Sequence, residues 1–286
     1  MGKKSVAAQM WETFIEEGKY PHLQQCKTKT KLLTSAMKER LSDSELKRHE
    51  FTRYGIVGKF VAKKIYDIDY IALNEYLYDL GLLLFVVEID EKKLLRESIL
   101  IYDLIQEFRL PDTFYIRPSF NKAGRFLNEV RNFEITEQWS LDDMARTLAI
   151  LKPQVKALSR QYELLKRKTL RLPEIRELER LPKEKRRPIR HKYGSLSLVE
   201  KPPKYDVSKI YECFGEGILI EYGKPNSKKL DDFILNGTIT QSEIDQFKKV
   251  KDIRLDFSVM TLEDEAKILQ MLDEKTITAG LNRMRA

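Results

Sequence analysis

Cysteine, histidine, glycine and proline are all scarce in this chain. Its 286 residues include two Cys, three His, twelve Gly and ten Pro. A secreted disulfide scaffold would be Cys-dense, so Cys26 and Cys213 read as thiols of a reducing compartment. No CxxC pair exists, which excludes zinc ribbons and thioredoxin-type redox motifs. His22, His49 and His191 lie in separate segments without HxH or HxxxH spacing, so no His-based metal site is expected. The longest apolar run, residues 82–87, falls well short of the roughly 18 residues a membrane span needs. The chain opens MGKKSV, without an apolar signal core and with Val6 where a myristoylation site takes Ser or Thr. Together these point to the cytosol, with no membrane partner. GxGxxG, Walker A and GxSxG motifs are missing too; Gly55 and Gly58 form only GxxG. No cofactor is implied.

What the chain does have is apolar content and charge. A 42% apolar and 10% aromatic composition excludes wholesale disorder. The formal net charge is +8, from 52 Lys+Arg and 44 Asp+Glu. Of these, 15 basic and 5 acidic residues fall within residues 152–192, leaving 37 basic and 39 acidic elsewhere. The whole positive excess therefore sits in one stretch. Such asymmetry points to a polyanionic partner.

Apolar periodicity predicts helices over residues 5–17 and 30–41. The Gly-punctuated β-formers of residues 51–66 predict a hairpin. Asp67 or Asp69 would cap a helix stopped by Gly81. Residues 82–89 read as a buried strand, 94–110 as a helix, 113–117 as a short strand, and 119–138 as ambiguous. Ser140 and Asp143 form a capping-box-like pair opening a long helix. Its apolar positions, from Leu141 and Met144 to Tyr162 and Leu165, follow heptad gaps. That pattern fits either a coiled-coil homo-oligomer through residues 141–165 or a core-facing helix. Ile150, Ala157 and Leu164 widen the stripe, and the flanking positions offer no complementary charges, which favours the core-facing helix. Pro153 predicts a kink or break. Arg146, Arg160 and Arg167, with Lys156, form a basic stripe on the other face.

Residues 172–205 carry Pro173, Pro182, Pro188, Pro202 and Pro203 and are dominated by charge, which predicts a linker or arm with a short helix at 174–181. Order returns at residue 206. A helix is expected over 210–214, a strand over 217–222 and a helix capped by Asn226 and ended by Asn236-Gly237. A helix over 241–250 is capped by Thr240 and Glu243, followed by an alternating half-buried strand over 253–259 and a final helix opened by Thr261 and Asp264.

Four motifs have functional readings. The first is the basic arm of residues 183–193. Arg donates bidentate hydrogen bonds to phosphate, and each phosphate neutralised releases counterions. Tyr162, Tyr193 and Tyr205 are candidates for stacking on exposed bases. Alternatives are an acidic protein surface and a plain solvated linker. Second, the helices around Asn236-Gly237 outline a helix-turn-helix, but Glu243 and Asp245 would face phosphates unfavourably, so an ordinary αα-corner is preferred. Third, Asp90-Glu91-Lys92 after a strand resembles the second half of a PD-(D/E)xK nuclease motif, with Asp67, Asp69 or Asp79 upstream; a plain N-cap role for Asp90 is the alternative. Fourth, Lys27, Lys29 and Lys31 could depress the pKa of Cys26, which otherwise reads as an incidental thiol.

The reading is an α+β protein of mixed short strands and helices in two lobes, joined by a long amphipathic helix and a basic Pro-containing arm. The expected divisions are an α+β lobe at 1–138, the helix at 139–172, the arm at 173–205 and a small α+β lobe at 206–286. The function is read as non-enzymatic binding of DNA or RNA, mainly through phosphates. The expected contacts are Lys156, Arg160, Arg167, Lys168, Arg171, Lys185, Arg186, Arg187, Arg190, Lys192 and Tyr193. Two alternatives remain: an inhibitor, adaptor or assembly component of a phage or mobile element that binds an acidic protein partner, and a metal-dependent nuclease. The Lys-, Glu-, Tyr- and Ile-rich composition is similar to that of accessory proteins of low-GC Gram-positive bacteria and their phages.

Overall fold

The computed structural model describes residues 5–130 and 133–285; residues 1–4, on which most of the leader reading rests, lie outside them. In chain order the elements are α1 (Val6–Glu16), α2 (Lys19–Leu41), β1 (Arg48–Phe51), β2 (Ile56–Ile68), α3 (Tyr70–Asp79), α4 (Leu83–Val86), β3 (Val87–Ile89), α5 (Glu91–Glu97), α6 (Ile99–Ile105), β4 (Phe114–Phe120) and α7 (Lys122–Asn128). Then come α8 (Leu141–Leu170), α9 (Pro173–Glu179), β5 (Ile189–His191), β6 (Gly194–Glu200), α10 (Val207–Phe214), α11 (Gly217–Tyr222), β7 (Gly223–Pro225), α12 (Ser227–Leu235), α13 (Gln241–Asp245), β8 (Lys248–Thr261) and α14 (Leu262–Arg285). This is an α+β mix, 59% helix and 21% strand. Among the described residues, no helix is long and apolar enough to cross a membrane.

The chain forms two compact units, each built from three separated segments. The first comprises Met1–Val61, Phe114–Lys201 and Asp256–Glu265; the second comprises Ala62–Thr113, Pro202–Leu255 and Ala266–Ala286. The chain passes between them five times: along β2, at Thr113–Phe114, at Lys201–Pro202 within the stretch expected to be an arm, along β8, and along α14.

In the first unit, α8 supplies both apolar clusters. Its N-terminal half packs Met144, Ala145, Leu148 and Leu151 against Leu33 and Met37 of α2, Ile56 of β2 and Val259 of β8. Its C-terminal half packs Leu165 with Trp11 and Phe14 of α1, Ile175 of α9, Ile116 of β4 and Leu196 of β6. Burying such side chains contributes about 1.5–3 kcal/mol each. Trp11 Nε1 donates to Thr169 Oγ1 at 2.9 Å, and that hydroxyl donates to the Leu165 carbonyl at 2.8 Å, so no polar atom of the pair is stranded. The three-stranded antiparallel sheet runs β4-β6-β5, with Ile116 opposite Leu198, Ser119 opposite Ser195, and Arg190 opposite Ser195 from the other side. Gly194 holds φ +153° at the start of β6, where a Cβ would meet the Ser119 carbonyl oxygen at 1.9 Å, so no larger residue fits.

The second unit packs Leu73 and Leu77 of α3, Val86 and Val87 around α4–β3, Leu94, Ile105, Ile210 and Leu219 into its own core. Fully buried Asn74 braces it: Nδ2 donates to the carbonyls of Leu219, Ile220 and Gly223 at 3.3, 2.9 and 2.9 Å. These include carbonyls from the last turn of α11, which has no intrahelical donors for them.

Several local expectations change. Residues 82–89 are not one strand but α4 followed by the three residues of β3, since Leu82, Leu83, Val86 and Val87 all point into the core. Residues 217–222 form helix α11 instead of a strand. The helix expected over 94–110 breaks at Ser98, whose hydroxyl caps α6 by accepting from Ile101 N at 3.5 Å. The helix expected over 241–250 ends at Asp245, and its last residues begin β8. Pro153 does not break α8, which runs unbroken from Leu141 to Leu170. The Pro-rich stretch expected to be an arm folds as α9, β5 and β6, because Ile175, His191, Tyr193 and Leu196 are buried there. The β1–β2 hairpin, the Ser140 and Thr240 capping boxes and the Asp69 cap are as expected.

Candidate nucleic-acid interface

The cations of α8 are placed by its apolar pattern. At 3.6 residues per turn, Lys156, Arg160, Arg167 and Arg171 fall within about 60° of one another, opposite Leu158, Tyr162 and Leu165. All four are exposed, as is Lys168. Lys156 is already engaged: Nζ donates to Asp264 at 2.8 Å. Near the start of the helix, Arg146 is paired to Asp143 at 2.9 Å. The available part of the stripe is therefore its C-terminal half. The heptad positions face inward, since Met144, Leu148, Leu151 and Leu165 are buried within the first unit.

Helix α9 extends the basic run. Pro173 opens it, and Glu174 Oε1 accepts from Ser5 Oγ at 2.9 Å and from Ala7 N at 2.6 Å, tying α9 to the start of α1. With Ile175 buried, Arg176 and the C-cap Arg180 are exposed on one side. Neither was among the expected contacts, although their i,i+4 spacing after Pro173 marks a helix face. Lys183, Lys185, Arg187 and Arg190 are exposed as well. Among the described residues, none of Arg160, Arg167, Lys168, Arg171, Arg176, Arg180, Lys183, Lys185, Arg187 and Arg190 has an ion-pair partner.

Besides Lys156, three expected contacts are otherwise occupied. Arg186 is an anchor: it pairs with Glu200, donates through Nε to the Leu181 carbonyl at 2.8 Å and stacks 4.8 Å from the centroid of Phe114. Its side chain is 11% exposed, so a phosphate would have to displace a packed group. Lys192 pairs with Glu16 at 2.9 Å, and its backbone N–H donates to Glu12 Oε1 at 2.6 Å. Tyr193 is buried and donates its hydroxyl to Glu16 at 3.1 Å. The hydrogen bonds from Lys192 and Tyr193 hold the Glu16 carboxyl below its ordinary pKa. The other stacking candidates are also packed. Tyr162 sits among Trp11, Phe14 and Tyr20, with burial pushing its pKa up, and Tyr205 is buried in the second unit.

The remaining motifs resolve locally. Cys26 is buried near His22 and Gln154, and burial pushes its thiol pKa up against the smaller opposing pull of Lys29. In the second unit, Asp90 caps α5 by accepting from Lys93 N at 3.2 Å, and Glu91 accepts from the hydroxyls of Tyr102 and Tyr205 at 3.4 and 3.2 Å. Asp90, Glu91 and Lys92 line an open cleft of about 630 Å³. Among the described residues, no three His, Cys, Asp or Glu side chains converge with metal-holding geometry. Helix α13, which follows α12, spans only Gln241–Asp245, too short for a recognition helix. No family model, no curated protein and no solved structure matches this chain.

Proposed function

We propose that the first unit binds the phosphodiester backbone of nucleic acid through the outer face of α8, helix α9 and the segment leading into β5. One observation carries the reading: among the described residues, the exposed cations from Arg160 to Arg187 lack carboxylate partners, while their neighbours Lys156, Lys166, Arg186 and Lys192 have them. Unpaired surface cations raise local anion concentration and meet phosphates without first breaking an ion pair. Arg supplies most of them, and its fork matches two phosphate oxygens. Such contacts position the ligand and carry little sequence information.

The test is binding of a fluorescent duplex and a fluorescent single strand to the wild type and to Arg160→Glu with Arg167→Glu. The reversal should weaken binding more than 10-fold, while Lys156→Ala, which removes a cation already paired, should change it less than 2-fold. Equal binding by the reversal variant would count against the reading.

One feature favours the second reading, an acidic protein partner. A groove of about 600 Å³ between α1 and α8 is lined by Val6, Met10, Phe14 and Leu164 together with Lys168, and with Lys19, which pairs with Glu17 on the same groove at 2.6 Å. An interface there would show a few steep side-chain effects at Leu164 and Met10, where a phosphate surface would show many shallow ones.

A further inference from the structure

The sheet of the first unit has two unlike faces. Side chains alternate along each strand, so Phe114, Ile116, Pro118 and Phe120 share a face, and Tyr115, Arg117 and Ser119 share the other. The register carries this across the sheet. Ile116 lies opposite Leu198, and Pro118 lies opposite Leu196, whose other neighbour is Ile189; this is the face that packs on the core with Leu165 and Ile175. On the opposite face, Tyr115 lies opposite Val199, Arg117 opposite Ser197, and Ser119 opposite Ser195, whose other neighbour is Arg190. Tyr115 is 40% exposed, and Arg117, Ser119 and Arg190 are exposed too.

This outer face is an uncapped polar surface. It carries two guanidiniums, three serine hydroxyls and one tyrosine, with no carboxylate on the same face of the paired strands. Among the described residues, neither Arg117 nor Arg190 has an ion-pair partner. At about 4.8 Å between strands and 3.4 Å per residue, the Arg117 and Arg190 Cα atoms stand about 12 Å apart, with Ser195 and Ser197 between them. Tyr115 stands about 7 Å along β4 from Arg117. Val199 opposite steadies one side of its ring as an aromatic–β-branched cross-strand pair. Because α8 packs on the inner face, its cationic stripe points away from this surface, which makes the two separate. Stacking separates them further: the three tyrosines that could have served the α8 and arm surface are packed, and Tyr115 is an exposed ring two residues along its strand from Arg117.

We propose that the outer face of the β4-β6-β5 sheet is a second contact, taking a single strand of nucleic acid. A base stacks on Tyr115, phosphates sit on Arg117 and Arg190, and the serine hydroxyls between them donate to the backbone. The charge of the face argues for this occupant: it offers donors and positive charge to a polyanion and no acceptor carboxylate to repel it. The inference rests on the nucleic-acid reading above but predicts a strand preference which that reading does not.

The test uses the full chain with short fluorescent oligo-dT, oligo-U and duplex probes at low salt. Tyr115→Ala should weaken single-strand binding about 5- to 150-fold, the loss of one stacked base, and leave duplex binding unchanged. Tyr115→Trp should restore it. Arg117→Ala should lower the magnitude of the log–log salt slope for single strands by about 1. Comparing oligo-dT with oligo-U shows whether the strand is DNA or RNA. If wild type binds only the duplex, or Tyr115→Ala and Arg117→Ala both bind single strands like wild type, this inference falls and the phosphate reading stands. If wild type binds no probe, both fall.

Discussion

Arg186 and Arg187 are adjacent cations in opposite surroundings. Arg187 is exposed, whereas Arg186 holds Glu200, the Leu181 carbonyl and the Phe114 ring. Removing a largely buried Arg leaves Glu200 and a carbonyl unsatisfied, so Arg186→Ala should destabilise the first unit by about 2–4 kcal/mol. Thermal melting checks this, and Arg187→Ala should not shift the melting temperature. The same reasoning applies to Asn74 in the second unit. Asn74→Ala strands three carbonyl contacts in a buried site and should cost about 2–3 kcal/mol by urea denaturation. Glu265 sets an acid limit. Its hydrogen bond from Arg48, with a further one from Lys59, holds its carboxyl below the ordinary value of 4.5. A depressed carboxyl contributes stability that is full above the unfolded pKa and is lost as pH falls through the folded one. Stability should therefore decline as pH drops below about 4.5, and Glu265→Gln should flatten that decline in melts taken across the range. None of these roles was legible in sequence. A linear reading counts Arg186 and Lys192 as free charges because their carboxylate partners, Glu200 and Glu16, are identified only by the fold.

At the scale of elements, the sequence was most legible where a cap and a period agree. Ser140 with Asp143, Thr240 with Glu243, and Asp69 each open the helix their side chains imply. It was least legible where an apolar run is short and buried on several sides. Residues 82–87 and 217–222 have no period to separate strand from helix, and tertiary burial decided for a helical turn in both. Proline misled in two ways. Pro173 and Pro188 flank ordered elements, with Pro173 at the favourable first helical position of α9. Pro153 sits on the solvent side of α8, where its missing N–H leaves one exposed turn without a hydrogen bond while both halves of the helix remain anchored in apolar clusters. Pro153→Ala should restore that bond and stabilise the chain by about 1–3 kcal/mol, read as a raised melting temperature. A lowered one would mean that the ring itself is packed.

At the scale of the molecule, each unit gathers three segments of chain, and no local composition shift marks segments that return to a unit already begun. That is why a reading along the sequence expects contiguous lobes. Charge asymmetry was legible, because it needs only counting. Residues 152–192 hold the positive excess, and all of them belong to the first unit. The fold adds the division between cations that are paired internally and cations left for a ligand. It also separates the basic stripe of α8 from the Tyr115–Arg117–Arg190 sheet face, since the two point away from one another.

On the proposed function, the unpaired cations of the first unit bind phosphates. The most direct measurement is the log–log dependence of binding on salt, for fluorescent duplex and single-stranded probes. Wild type is compared with a variant carrying Arg167→Ala, Arg171→Ala and Arg187→Ala. Binding should weaken steeply with salt, with a slope lower in magnitude by about 3 in the variant, roughly 1 for each phosphate contact removed. Absence of binding at low salt, or a slope that the three substitutions leave unchanged, would contradict the proposed function.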